Sequence, residues 1–362
     1  MRIFLTTLLP EHLIGKHNLS FAACNFSRNL MSGGGFDKTF SILPLFVQGE
    51  LEAEAYQDSG YELIYAQRLR KLGRKLTLLA CMVEQWRKFC KIPHGAKVWT
   101  YNLTTLSVLT VLLLKLFKPS VQVNVIVLDF TPVQKGLGLN SLFLKFINAA
   151  HGNICLAHSD LFTCKNRVIL PGVVPAQCGE EPRITAPNRK FLLSGALNEV
   201  IAQVSMVLKV FAQLPNCELH ITGTPEDEAL IRKYAEQYPH IIYHGKLSFQ
   251  AYLDLMHSCT YQLSTRDSRY PENQCNFPSK VIEALLHNRI VVSTIDYPQL
   301  EGIQYLQVDS DETGFLQNIQ RIVEMSDQDL MPYANHGKHV AELFSTEVWN
   351  QCMSQIEAAK TN

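Results

Sequence analysis

Short apolar runs alternate along this chain with longer amphipathic stretches, the rhythm of parallel strands covered by helices on both faces. In the first half, strands are predicted over residues 2–8, 40–45, 97–101, 123–128, 154–157 and 167–170. Helices are predicted near 21–30, 61–90, 106–117 and 139–149. Residues 172–189 are rich in proline and poor in apolar positions, so they read as a linker. The alternation then restarts. Strands over 190–194, 218–222, 241–244, 261–264, 290–294 and 305–308 are interleaved with helices over 200–214, 226–238, 249–258 and 279–287. Two further helical stretches, 327–343 and 345–358, close the chain. No repeat of fixed period is visible, which excludes a solenoid.

A chain of 362 residues exceeds the size at which one core keeps growing, so two domains are expected. We place them at 1–175 and 176–344, with 345–362 free to pack back on the first, and expect a cleft between them. At 47% apolar and 18% charged residues the composition is globular, and 33 basic side chains balance 33 acidic ones. Without a global positive field, no nucleic-acid partner is expected. Ten cysteines lie scattered without a C-x-x-C pair, several inside apolar runs, which fits a reducing compartment. The opening segment reads as a strand rather than a signal peptide, so a cytoplasmic location is expected. The apolar run 103–117 is about 15 residues, shorter than the ~20 that cross a bilayer, and is read as a buried helix.

In open parallel sheets, ligands bind outside the carboxyl ends of the strands, where helix N-termini present N–H groups and partial positive charge. The most informative strand-to-helix loop is polar and ends in Asn276-Phe277-Pro278-Ser279-Lys280. Proline in a first helical turn loses no hydrogen bond, while Ser279 and Lys280 add a hydroxyl and an ammonium to the positive end of the helix. Such a group can seat a diphosphate. Glu283 follows Ser279 by one turn and is placed to accept from ribose hydroxyls. The same residues also fit a plain helix cap with an exposed lysine and glutamate.

This segment resembles the donor-site motif of retaining GT-B glycosyltransferases of family 4, Phe-Pro-Ser-Lys-x-x-Glu-Tyr-x-Ala-x-Gly-x-Pro-Val-Val. Here it stands as Phe277-Pro278-Ser279-Lys280-Val281-Ile282-Glu283-Ala284, running on to Ile290-Val291-Val292. Gly195 and Gly223 resemble the glycine turns after the first two strands of that family's second domain. Gly245-Lys246-Leu247 resembles the loop that meets the nucleotide base. The resemblance covers roughly the second domain. It implies two Rossmann-like, doubly wound α/β domains facing a central cleft, with the nucleotide-sugar donor on the second and a glycan or lipid-linked acceptor on the first. It further implies transfer with retention, no cofactor and no metal requirement, in a setting such as polysaccharide biosynthesis.

Two positions depart from the family pattern. The family's first glutamate falls on Cys275, and its arginine after the first glycine turn falls on Ala196. Lys280 is then the first choice to meet phosphate charge, with Arg266 and Arg269 second; solvated loop charge is the competing reading of either arginine. In the first domain, Asp129 ends a strand at the expected ligand edge and could orient an acceptor hydroxyl, though a turn-forming aspartate fits equally. Gly33-Gly34-Gly35 follows a helix and reads as its C-terminal turn, not a phosphate loop. The apolar stretch 139–149 is read as core packing rather than as a peripheral membrane contact. His158, His244 and His287 have no partner at metal-ligand spacing, so no tightly bound metal is expected. Two rivals stay open: a nucleotide-sugar epimerase of the same fold, and a donor-binding scaffold without turnover.

Overall fold

The computed structural model describes residues 1–9, 14, 21–33, 35–42, 60–64, 74–105, 107–132, 138–175 and 181–359. The chain divides into two compact units. One comprises Met1–Ala176 with Phe344–Asn362, the other Gln177–Leu343.

Among the described residues the first unit holds seven strands, β1 (Arg2–Thr6), β2 (Lys38–Ile42), β3 (Glu62–Ile64), β4 (Lys97–Tyr101), β5 (Gln122–Val127), β6 (Gly152–Cys155) and β7 (Arg167–Ile169). They form one parallel sheet in the order β3-β2-β1-β4-β5-β6-β7. The central strands are apolar on both faces because helices cover both, and Ile3, Phe4, Val98, Trp99, Val125 and Ile126 are fully buried. A single helix was expected over 61–90. Instead Glu62–Ile64 pairs with β2 as an edge strand, and a helix is described over Arg74–Phe89, with 65–73 outside the described residues. Three residues are too few to display the alternation that marks a strand. The first helix runs through Gly33, and Gly35 turns the chain at a φ of 61°; Gly34 and the expected strand positions 43–45 lie outside the described residues.

Two helices of this unit are less buried than their apolar content implies. In Val108–Phe117 only Thr110, Val111 and Leu114 are buried, while Leu116 and Phe117 face solvent. In Leu139–Asn148 only Ile147 is buried, and Leu139 is 60% exposed. Phe143, Leu144 and Phe146 are half-buried, so one face of this second helix packs inward while Leu139 and Leu142 are left exposed. The C-terminal helix Thr346–Ala358, capped by Ser345 on the Val348 N–H, belongs to the first unit. Its Trp349 indole donates to the Gly172 carbonyl at 2.8 Å. Near its end Glu357 accepts from the Trp99 indole at 2.8 Å and the Arg2 guanidinium at 2.6 Å, with Lys97 at 3.2 Å. Burial alone would raise the Glu357 pKa, but the Arg2, Trp99 and Lys97 donors outweigh it and hold the carboxyl below its usual value.

The second unit holds β8 (Lys190–Leu197), β9 (Glu218–Pro225), β10 (Ile241–Tyr243), β11 (Tyr261–Ser264), β12 (Ile290–Ser293) and β13 (Leu306–Gln307). They form a parallel sheet in the order β10-β9-β8-β11-β12-β13. Its helices include Val204–Phe211, Glu228–Gln237, Phe249–Ser258, Ser279–Leu286 and Glu312–Glu324, with a short turn of helix at Pro271–Cys275. The core runs through Phe191, Val207, Phe211, Ile221, Val292 and Phe315. The helix expected over 327–343 is broken. Pro332 lacks the amide to continue it, and Asn335 takes a left-handed φ of 63° so that its side chain can clasp both backbone polar groups of Ile184. In each sheet the strand order reverses once, between β1 and β4 and between β8 and β11, and such a reversal opens a crevice at the carboxyl edge.

Candidate donor site

At the β8/β11 reversal of the second unit, three glycines stand side by side. Gly195 is in register with Gly223, whose N–H donates to the Gly245 carbonyl at 3.1 Å. The Thr222 hydroxyl reaches the same carbonyl at 2.7 Å. All three have positive φ, 109°, 144° and 64°. A Cβ on Gly223 would lie 2.0 Å from the Gly195 oxygen, so here a side chain is excluded by contact as well as by φ. Around Gly245 there is open space, and only the φ asks for glycine. Lys246 beyond it is exposed and Leu247 half-buried.

The other wall comes from the β11 loop. Pro278, expected inside the first turn, is the N-cap residue instead, because its carbonyl accepts from the Val281 N–H. Ser279 is the first helical residue and is exposed, and the N-cap residue, a proline, has no side-chain acceptor with which to cap this helix end. Phe277 is buried with its ring edge-on to Tyr297, a contact that fixes where the helix starts. Asn276 is half-buried just before it. Lys280 does not stand alone: its ammonium lies 2.7 Å from a Glu283 carboxylate oxygen and 3.9 Å from the centroid of the Tyr252 ring. The Tyr252 hydroxyl donates to that same oxygen at 2.8 Å. Burial first, then the Glu283 charge, push the Tyr252 pKa well up, which keeps it a donor. The Lys280 stem in turn passes 4.0 Å from the Cβ position of Gly195.

Gly195 and Gly223, expected in turns after their strands, lie inside β8 and β9; Lys280, Glu283 and Gly195 are thus brought together, with Tyr252 as a member that the sequence alone did not single out. Its only signal is an aromatic with a hydroxyl on a helix whose other inward position is Met256, a pattern shared with ordinary core tyrosines. Arg266 is half-buried and donates to Asn273, which ties down the Val200 and Asp267 carbonyls. Arg269 faces solvent and pairs with Asp267. Cys275 is buried, its thiol directed at the Glu272 carbonyl, and Ala196 is exposed.

The carboxyl edge of the first unit is finished differently. Asn102 takes a left-handed φ of 51° past β4, and its side-chain oxygen accepts from the Leu128 N–H at 2.8 Å. Asp129 is exposed beyond β5. Its charge, after burial, raises the pKa of the Tyr101 hydroxyl, which puts the two groups in the same neighbourhood. The expectation that His287 lacks metal-ligating partners is corrected by the fold: Glu181 and His257 converge on it. His244 stacks on His220, and burial lowers the pKa of both.

No family model and no curated protein matches the sequence. Solved structures do match. Anabaena Alr3699/HepE in complex with UDP has 12% identity and a TM-score of 0.69, over 98% of this chain and 99% of that one. The E. coli trehalose-6-phosphate structure bound with UDP-2-fluoro glucose has 9% identity and a TM-score of 0.68, over the full length of both. S. aureus TarM has 14% identity and a TM-score of 0.59, over 78% of this chain and 58% of that one. At these identities it is the architecture that is shared, and that architecture is GT-B, built on two Rossmann-like α/β units. Among the described residues no helix is long and apolar enough to cross a membrane.

Proposed function

We propose that this chain is a retaining glycosyltransferase that moves a sugar from a nucleoside-diphosphate donor, of the UDP-sugar type, to a glycan or lipid-linked acceptor. The single observation behind this reading is the meeting, at the β8/β11 reversal, of the glycine row with the helix start at Ser279 and the Tyr252–Lys280–Glu283 cluster. Glycines let a diphosphate approach backbone amides, and the helix end offers N–H groups to its oxygens. Lys280, held in place by Glu283 and the Tyr252 ring, supplies a fixed positive charge. Such a charge stabilises the departing nucleoside diphosphate more as negative charge grows on the leaving oxygen. Glu283 positions the lysine and accepts from ribose hydroxyls rather than reacting. UDP and UDP-sugars in the HepE and E. coli structures favour a uridine donor.

The donor contacts assigned to Gly195, Gly223, Gly245, Lys246, Leu247, Arg266 and residues 276–280, and an acceptor role for Asp129, belong to this proposal, as do metal-independent transfer and a cytoplasmic site of action. Contact with a membrane surface is part of it too. Exposed Leu139 and Leu142, in the first turn of helix Leu139–Asn148, support it. The test is incubation with a panel of radiolabelled nucleotide sugars and candidate acceptors. Transfer from one donor with release of nucleoside diphosphate is the expected result. Sugar interconversion without release would favour the epimerase, and tight binding without turnover would favour a scaffold.

A further inference from the structure

At the opposite end of the second unit, three ligating atoms converge on one point. His257 lies near the end of helix Phe249–Ser258, just before β11, and His287 caps the end of helix Ser279–Leu286, just before β12. Glu181 comes from the segment that leads into β8. The Nδ1 of His287 is 2.8 Å from Glu181 Oε2 and 2.9 Å from His257 Nε2, and His257 Nε2 is 3.4 Å from the same carboxylate oxygen. Proton counting makes this arrangement informative. If both imidazoles carry hydrogen on the facing nitrogen, the two hydrogens collide. If one does, a single hydrogen stands between two acceptors, the other imidazole nitrogen and the carboxylate oxygen. A cation at the centre satisfies all three.

The surroundings agree. Two helix C-termini meet here, and each brings partial negative charge that favours a cation. The three ligand-bearing segments are cross-tied by their neighbours: the buried Arg289 guanidinium donates to the carbonyls of Pro182, His257, His287 and Cys259, and the Asn288 amide donates to the Glu181 carbonyl. Such supporting bonds hold ligands in place before a metal arrives. The Arg289 charge also opposes a cation, and the Glu181 carboxylate offsets it. A tetrahedral zinc ion with bonds of ~2.0–2.1 Å keeps its donors ~3.3 Å apart. The present spacings reach that with rotations of the two histidine rings. Glu181 and His257 are each 25% exposed, which leaves room for a water as fourth ligand.

We infer that Glu181, His257 and His287 bind one zinc-class divalent cation, which clamps the chain entering the second unit to the ends of two helices. The helix Ser279–Leu286 separates this site from the diphosphate seat by ~12 Å at the usual rise per residue. The clamp is therefore structural and independent of the nucleotide-sugar reading. The test uses the full chain, stripped with a chelator and titrated with Zn²⁺ by calorimetry and with Co²⁺ by visible absorption. One Zn²⁺ per chain, a tetrahedral Co²⁺ spectrum and a rise in melting temperature with Zn²⁺ are expected of the wild type. In His257→Gln the affinity falls on the order of 100-fold, in Glu181→Gln on the order of 10-fold, with UDP affinity unchanged in both. Equal Zn²⁺ affinity in wild type and both variants, or no Zn²⁺ binding by the wild type, overturns the inference. Should metal-free His257→Gln melt far below the metal-free wild type, the conservative Glu181→Gln decides.

Discussion

Both units reverse their strand order once, yet they finish the strand ends at that reversal in opposite ways. In the second unit Gly195, Gly223 and Gly245 each leave out a side chain along the edge, and the adjacent helix starts from a proline, which has no capping side chain. In the first unit Asn102 adopts a similar left-handed turn but fills the space with its own amide, bonded across to the next strand. The same topology can hold a crevice open for a ligand that needs backbone contact, or close it with a side chain. The surfaces contrast as well. Leu79, Val83, Leu116, Phe117, Leu139 and Leu142 of the first unit are exposed, while the second exposes Phe249 and Tyr270 among the described large apolar residues.

The contrast breaks most violently at Gly223. In Gly223→Ala the new methyl meets the Gly195 carbonyl, and destabilisation of about 3 kcal/mol is expected, a drop of roughly 6–12 °C in the apparent melting temperature of the unit. Gly245→Ala, with open space around it, should lose only about 1 kcal/mol. Equal losses in a thermal melt would remove the distinction between contact and conformation. Next comes the first unit's own anchor. Glu357→Gln leaves Arg2 and Lys97 without their carboxylate and is expected to lose about 2 kcal/mol at neutral pH. Because the folded pKa of Glu357 is depressed, its contribution is full above the unfolded value of about 4.3 and vanishes as pH falls through the folded one. Melting temperature followed from neutral to acid should therefore fall more steeply in the wild type than in the variant; parallel curves would deny the linkage.

The parallel α/β architecture was legible in the alternation of apolar runs, and the segment Phe277–Glu283 was legible as a helix start because proline, serine and lysine stand together there. Other features were not. The edge strand Glu62–Ile64 is too short for its period to be seen, and the helix at Pro271–Cys275 spans little more than a turn. Tyr252 and the Glu181–His257–His287 cluster depend on side chains 31 and 106 positions from their partners, a distance over which spacing carries no information. The exposure of Leu139 and Leu142 was not legible either, because an apolar composition says that a face wants cover, not which partner supplies it.

Smaller effects sharpen the same contrast. Tyr252→Phe keeps the ring under Lys280 and removes the bond to Glu283, so UDP affinity is expected to fall about 5- to 10-fold with little change in stability. An unchanged affinity would reduce Tyr252 to a core residue. The smallest change in stability, within about 0.5 kcal/mol, is expected of the double substitution Leu139→Ser and Leu142→Ser, since both side chains are exposed. Its effect should appear instead as a severalfold loss of binding to anionic vesicles in flotation, and undiminished flotation would leave those leucines without that role.

The most direct measurement is calorimetric titration of UDP into the wild type and into Lys280→Ala. One UDP per chain, bound about 10- to 100-fold more weakly when the ammonium is removed, is the expected result. Equal affinity in the two proteins, or no UDP binding by the wild type, would contradict a diphosphate seat at the start of helix Ser279–Leu286.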